Sequence, residues 1–232
     1  MSSLAPAIAH DAGYPVHVRV EPAIEPRNRL TTAFRFLLAI PHLIVVGGPA
    51  AAAFSWEWQD HARSGLGAGG GVLGVVAAIA AITAWFAIVL TGRHPSGLWQ
   101  LAAYYLRWRV RAVAYTALLR DEFPPFGDAP YPVALELDEP LGSRDRLGVA
   151  FRLVLALPQL ITVWLLGIVW AVATMLAWFA ILLTGRYPRG LYRFGVGVLV
   201  WSTRVEAYVL LLRDEYPPFF LDATIPSDPP ID

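Results

Sequence analysis

The chain contains no cysteine and no lysine; all eighteen of its basic residues are arginine. The missing cysteine excludes disulfides, thiol nucleophiles, thiolate metal sites and iron–sulfur ligation. The missing lysine follows from GC-rich codon usage without any functional cause. The functional alternative is selection for guanidinium forks, which bind phosphate bidentately. Charge is also scarce. Only 16% of residues are charged and 56% are hydrophobic, with a mean hydropathy of +0.51, against about 25% and roughly 45–50% in an ordinary soluble domain. That shift is what lipid-facing surface requires. Net charge is zero, so no global field attracts nucleic acid. No glycine-rich phosphate loop, nucleophile elbow or zinc spacing is present. No catalytic residue, metal or cofactor is therefore expected, and His61 beside Glu57 and Asp60 is only a weak metal candidate. The first residues, MSSLAPAIAHDAGYPV, lack a basic start and a sustained apolar run. They are not expected to be a cleaved signal peptide, so the first membrane helix should direct insertion.

The sequence that is present is written twice. YPVHVRVEP at 14–22 recurs as YPVALELDEP at 131–140, and RNRLTTAFRFLLAIPHLI at 27–44 as RDRLGVAFRLVLALPQLI at 144–161. AWFAIVLTGRHPSGL at 84–98 recurs as AWFAILLTGRYPRGL at 177–191, and LLRDEFPPF at 118–126 as LLRDEYPPF at 211–219. Two related halves imply a pseudo-two-fold axis. Repeat 1 spans 14–126 and repeat 2 spans 131–219, between a disordered tail at 1–13 and a C-terminal tail at 220–232.

A membrane-spanning helix needs about 20 apolar residues. Residues 30–54 and 72–91 meet this in repeat 1, separated by a polar, glycine-rich loop at 55–71 that repeat 2 lacks. The apolar run 147–184 is too long for one crossing of a core of about 30 Å. With arginines at both ends of each run, each is expected to cross twice, as 147–166 and 168–184 with a turn near 162–167. On that reading seventeen arginines lie on one face and only Arg63 on the other. The positive-inside rule then places both termini and the inter-repeat segment in the cytoplasm. Residues 98–119 and 191–212 are expected as interfacial amphipathic helices, because Arg107, Arg109 and Arg111 are costly at the bilayer centre. Period-two alternation at 16–20 and 133–138 predicts a short β-strand before each hairpin, and the two strands can pair across the axis with His17 and Arg19 facing acids. The fold class is all-α integral membrane protein.

Gly92 and Gly185 sit at helix stops closed by Pro95 and Pro188. Arg93 and Arg186 can snorkel to headgroups there, with Trp85 and Trp178 as interfacial anchors; a lipid-phosphate or partner site at these arginines is the functional alternative. Arg35 and Arg152 lie two turns inside the membrane helices, with Asp121 and Asp214, or Glu122 and Glu215, as ion-pair partners. Pro41 and Pro158 break those helices, as a packing kink or, alternatively, as a transport site. His42 meets Gln159 in the other copy and His94 meets Tyr187, so no symmetric metal or proton site survives the duplication.

These runs, RLTTAFRFLLAIPHLIVV, AWFAIVLTGRHPSGL and RVRAVAYTALLRDEFPPF with their second copies, resemble the bacterial membrane-protein family known as domain of unknown function 4389. The resemblance implies a bacterial integral membrane protein in two tandem copies and carries over no activity, cofactor or catalytic residue. The expected function is a non-enzymatic accessory or scaffold module. Its lipid- or partner-binding residues are Arg35, Arg93, Arg107, Arg111, Arg152, Arg186 and Arg204, and its partners are anionic lipids or a membrane protein, with self-association open and no nucleic acid. A small transporter or channel on the pseudo-two-fold axis is the alternative.

Overall fold

The computed structural model describes residues 14–21, 23, 26–48, 71–127, 129–139 and 142–221. Most of the 55–71 loop and both tails as expected, except 220–221, fall outside these residues. In chain order the elements are β1 (Val16–Val20), α1 (Arg29–Ala33), α2 (Arg35–Val46), α3 (Gly71–Thr91), α4 (Ser96–Thr116), β2 (Val133–Leu137), α5 (Arg146–Ala150), α6 (Arg152–Thr184) and α7 (Arg189–Val209).

The largest departure from expectation is α6. No turn occurs at 162–167; residues 152–184 form one helix of 33 residues, about 50 Å at 1.5 Å per residue. The reason is local. The stretch Thr162–Gly167 offers a single glycine and neither proline nor asparagine, and an isolated glycine does not end a helix. Repeat 1 follows the same plan. Arg35 stacks on Tyr115, His42 meets Trp108 and Gly74 lies against Tyr105, so α2 and α3 pass in succession along α4 in one direction. Position 71 calls for glycine on two counts: its φ is 65°, and a Cβ there would stand 2.5 Å from the carbonyl carbon of Val45. By alignment Val46 matches Val163 and Gly71 matches Trp164. Repeat 1 is therefore the same long helix, split at this point by the inserted residues 47–70. The helical hairpin expected in each repeat is replaced by one long helical line and one returning helix, α4 or α7.

The split leaves carbonyls at the end of α2 without helical partners. Arg109 of α4 takes them: its guanidinium donates to Val46 O at 2.6 Å and Gly48 O at 3.3 Å, and Nε lies 2.7 Å from Glu206 of α7. Its counterpart in repeat 2 is Ser202, beside an unbroken helix that has no such carbonyls to satisfy.

The strands pair antiparallel, with Val18 opposite Leu135 and Val16 and Val20 opposite Leu137 and Val133. Val18 and Leu135 are equivalent positions of the two copies, so the pseudo-two-fold axis passes between them, normal to the sheet. Helices α4 and α7 are antiparallel across the same axis: Trp99 Nε1 donates to Leu212 O, Arg109 meets Glu206 and Tyr187 Oη donates to Ala117 O. The strands touch α4 and α7 and neither touches α2, α3 or α6. Three layers therefore stack along the axis: the sheet, the α4/α7 pair, and the long helices.

The core occupies the middle layer. Ala102, Ala103, Leu106, Val110 and Ala114 of α4 and Val198, Leu199 and Ala207 of α7 are almost wholly buried. On the sheet, Val16, Val20, Val133, Leu135 and Leu137 face inward while Arg19 and Glu136 are exposed, and Arg19 pairs with Glu136 at 2.7 Å. The long helices bury one stripe, in α6 Arg152, Ala156, Gln159, Trp170, Ala173, Ala177 and Ile181, and leave the rest of an apolar surface uncovered.

Candidate functional site: twin arginine–aspartate clusters and two repeat seams

Each returning helix ends in a turn that requires a left-handed residue, Leu118 at φ 64° and Leu211 at φ 62°. Leucine is an expensive choice there. Both side chains are buried, and the turn is closed by Leu119 N donating to Ala114 O and Leu212 N to Ala207 O. Burial of the leucine offsets the backbone strain, and the turn aims the following Arg-Asp-Glu inward.

In repeat 1, Asp121 accepts from Arg27 at 3.0 Å and Arg35 at 2.6 Å. Arg35 is fully buried; it also donates to Arg120 O at 2.5 Å and lies 4.3 Å from the Tyr115 ring centre. Arg120 turns the other way, to Glu122 at 2.6 Å and to Glu21 O at 2.6 Å, which ties the cluster to the end of β1. Repeat 2 repeats these contacts. Asp214 accepts from Arg144 at 2.8 Å and from Arg152, Arg152 stacks on Tyr208 at 4.4 Å, and Arg213 reaches Glu215 at 3.4 Å and Asp138 O at 2.7 Å. Burial alone would raise the Asp214 carboxyl, but the hydrogen bonds and charges of Arg144 and Arg152 outweigh it and hold the carboxyl below the usual carboxylate range.

The helix stops join one repeat to the other. Gly185 O accepts from Arg27 N at 2.8 Å and Gly92 O from Arg144 N at 2.9 Å. Trp178 Nε1 donates to Thr32 O and Trp85 Nε1 to Val149 O, both at 2.9 Å. The two tryptophans expected at the lipid interface are thus half-buried staples between repeats. A chain profile matches this repeated pattern. The sequence profile of the family described as domain of unknown function (DUF4389) matches residues 70–127 and 146–221, more than half of the chain. The chain belongs to the DUF4389 family. Its two matched segments are tandem copies of the domain, and the first begins at residue 70, where the insertion ends. No curated protein and no solved structure matches the chain.

Within this DUF4389 pair the seven arginines singled out from sequence separate by environment. Arg35, Arg152 and Arg204 are buried and cannot meet headgroups; the first two neutralise aspartates and the third packs between the Tyr14 and Phe220 rings. Arg111 is half-buried and donates to Gly127 O and Ala129 O. Arg107 is half-buried, with no partner among the described residues. Arg93 and Arg186 are exposed at the two helix stops. Each has an arginine of the other repeat as its neighbour. The Arg29 guanidinium lies about 3.5 Å from where a Cβ on Gly185 would stand, and that of Arg146 about 3.0 Å from the matching point on Gly92. Each seam therefore carries two exposed arginines, one from each repeat, beside Leu30 (68% exposed) and Leu183 (77%) or Leu90 (72%) and Leu147 (73%). The signal was legible in the pattern Arg-Asn-Arg-Leu and Arg-Asp-Arg-Leu: the first arginine is buried, the second, two residues on, is not.

His42 and Gln159 also prove equivalent. His42 Nδ1 accepts from Trp108 Nε1 at 3.1 Å, while Gln159 Oε1 accepts from Trp201 Nε1 at 2.8 Å and its amide donates to Pro217 O at 2.6 Å. Pro124, the counterpart of Pro217, places its carbonyl beside His42. Both side chains accept from the tryptophan of their own repeat, so the exchange preserves that contact, while His42 Nε2 makes no hydrogen bond among the described residues. Among the described residues, no group of three His, Asp or Glu side chains could hold a metal ion.

Proposed function

We propose that this DUF4389 protein is a non-enzymatic membrane module, an accessory or scaffold subunit that holds anionic lipid headgroups, or an acidic membrane partner, at its two seams. The observation that carries the reading is the surface of the long helices. Helices α3 and α6 are long and apolar enough to cross a membrane, and most of their large apolar side chains face outward. Soluble monomers rarely expose contiguous apolar patches beyond a few hundred Å². Exposed arginines stand where that surface ends, at Arg29 with Arg186 and at Arg93 with Arg146, and a guanidinium pair beside apolar side chains suits a phosphate at the boundary of an acyl layer. Each arginine near the surface of an anionic membrane contributes about 1 kcal/mol.

The test is flotation of the purified chain with liposomes of neutral or anionic lipid. Arg29→Gln with Arg186→Gln, and Arg93→Gln with Arg146→Gln, should each weaken association with anionic vesicles, while Arg19→Gln on the sheet should not. Unchanged binding after neutralising both seams would reject headgroup capture at these arginines.

A further inference from the structure

We infer that the chain lies flat in one leaflet, its pseudo-two-fold axis along the membrane normal and its long helices parallel to the membrane plane. This rests on the membrane reading above and replaces the expected crossings with a single-sided seat. The first argument is symmetry. An axis that relates antiparallel strands and antiparallel helices is perpendicular to both, and here it passes between Val18 and Leu135 and between α4 and α7. The long helices run alongside α4 and α7 and so lie across the axis too. Only two orientations use the symmetry in a bilayer: the axis normal to it, or the axis within it.

The second argument is polarity along that axis. At one pole the sheet exposes the Arg19–Glu136 pair; at the other the long helices expose Phe36, Leu37, Ile40, Val75, Ile79, Leu165 and Val172 among others. The molecule is an amphipathic slab. An axis lying in the bilayer would bring the sheet to the level of the hydrocarbon, with a charged pair and two open strand edges facing lipid. Backbone polar groups without partners are not tolerated there. The third argument is length. Residues 153–183 carry no charge and extend about 46 Å as helix, well beyond a hydrocarbon core of about 30 Å, whereas a helix lying in the interface has no such limit. Both ends of each long helix then reach the same surface, where all four seam arginines meet phosphate from one side. The occupant of the apolar face is thus a phospholipid leaflet.

Because the chain has no cysteine, each engineered thiol is unique. Arg93→Cys and Arg186→Cys mark opposite ends of the slab and Glu136→Cys marks the sheet, and all three positions are exposed. Full-length variants are treated with a membrane-impermeant maleimide in sealed bacterial spheroplasts and in inverted inner-membrane vesicles. The flat seat requires all three thiols to react in inverted vesicles and none in spheroplasts. Reaction of Cys-substituted positions 93 and 186 from opposite sides, with position 136 unreactive in both, would overturn it in favour of a crossing. Protein left in the supernatant when the vesicles are pelleted would overturn the membrane reading instead. A second pair, Ser96→Cys and Arg193→Cys, both exposed just beyond the two helix stops, repeats the comparison if a first variant is not recovered.

Discussion

Replacing Asp121 by asparagine should destabilise the protein strongly. The side chain keeps its shape and one acceptor oxygen but loses the charge shared by Arg27 and Arg35. Both guanidinium groups are almost wholly enclosed, at 2% and 0% side-chain exposure, and Asp121 itself is only 23% exposed. Breaking a buried ion pair from one side costs about 3–5 kcal/mol, because the remaining charge is stranded. Here two cations are stranded together, which favours the upper half of that range. Arg35→Met should cost less, near 3 kcal/mol on the same scale, because Asp121 retains Arg27 while the Arg120 carbonyl loses its donor. Arg35→Lys falls between Arg35→Met and wild type, since one ammonium cannot reproduce the two-pronged contact with Arg120 O and Asp121. Glu122→Gln is the control: Glu122 is 47% exposed in its pair with Arg120, and such a pair is worth about 0–1 kcal/mol. Followed by intrinsic fluorescence in detergent, the order of melting temperatures should be wild type, E122Q, R35K, R35M, D121N. At about 2–4 °C per kcal/mol for a chain of this size, D121N should lie roughly 8–20 °C below wild type. A D121N midpoint within error of E122Q would refute the claim that this cluster holds the start of α2 to the end of α4.

Other expectations follow from the same contacts. Deleting residues 47–70 should fuse α2 to α3 as in repeat 2. Arg109→Ser, costing about 2 kcal/mol in the natural chain through lost charged hydrogen bonds, should cost clearly less in that deletion, and an equal cost in both would reject the capping role. Trp85→Phe and Trp178→Phe should each lower stability by about 1 kcal/mol and accelerate protease digestion between the repeats. His42→Gln should be tolerated and His42→Leu should not, measured by melting temperature, because only glutamine still accepts from Trp108. Asp214, depressed below its ordinary value of 3.8, contributes stability that is fully present above that value and lost as pH falls through the lower folded one. The gap in melting temperature between wild type and Asp214→Asn should therefore be wide at neutral pH and close on acidification; a constant gap from pH 7 to pH 3 would contradict the assignment.

Much of this was legible in the sequence because it repeats. The strands came from period-two alternation, and the pairing of His17 with Glu136 across the axis follows from placing equivalent residues face to face. The partners of Arg35 and Arg152 were legible for a related reason: a charge two turns inside an apolar helix needs a counter-charge, and the repeated Arg-Asp-Glu was the nearest supply. What misled was length. Bilayer thickness bounds an apolar run of more than 30 residues only if the helix stands upright. Nothing between Thr162 and Gly167 turns the chain, and that local absence was the better guide. The inward fate of Arg27 and Arg144, and the outward one of Arg29 and Arg146, depend on the two-residue helix-entry turn capped by Asn28 and Asp145. A count of arginines cannot separate them. Leu118 and Leu211 left no sequence signal, because glycine is the usual occupant of a left-handed helix exit.

The central claim is that the outward face of the long helices contacts lipid. Spin labels placed singly at Leu153, Leu165, Val172 and Leu183 of α6, all exposed, report it most directly through collisions with oxygen and with a water-soluble nickel chelate. The account predicts high oxygen and low nickel accessibility at every position in reconstituted bilayers, with similar depth at all four. High nickel accessibility along the helix would contradict it.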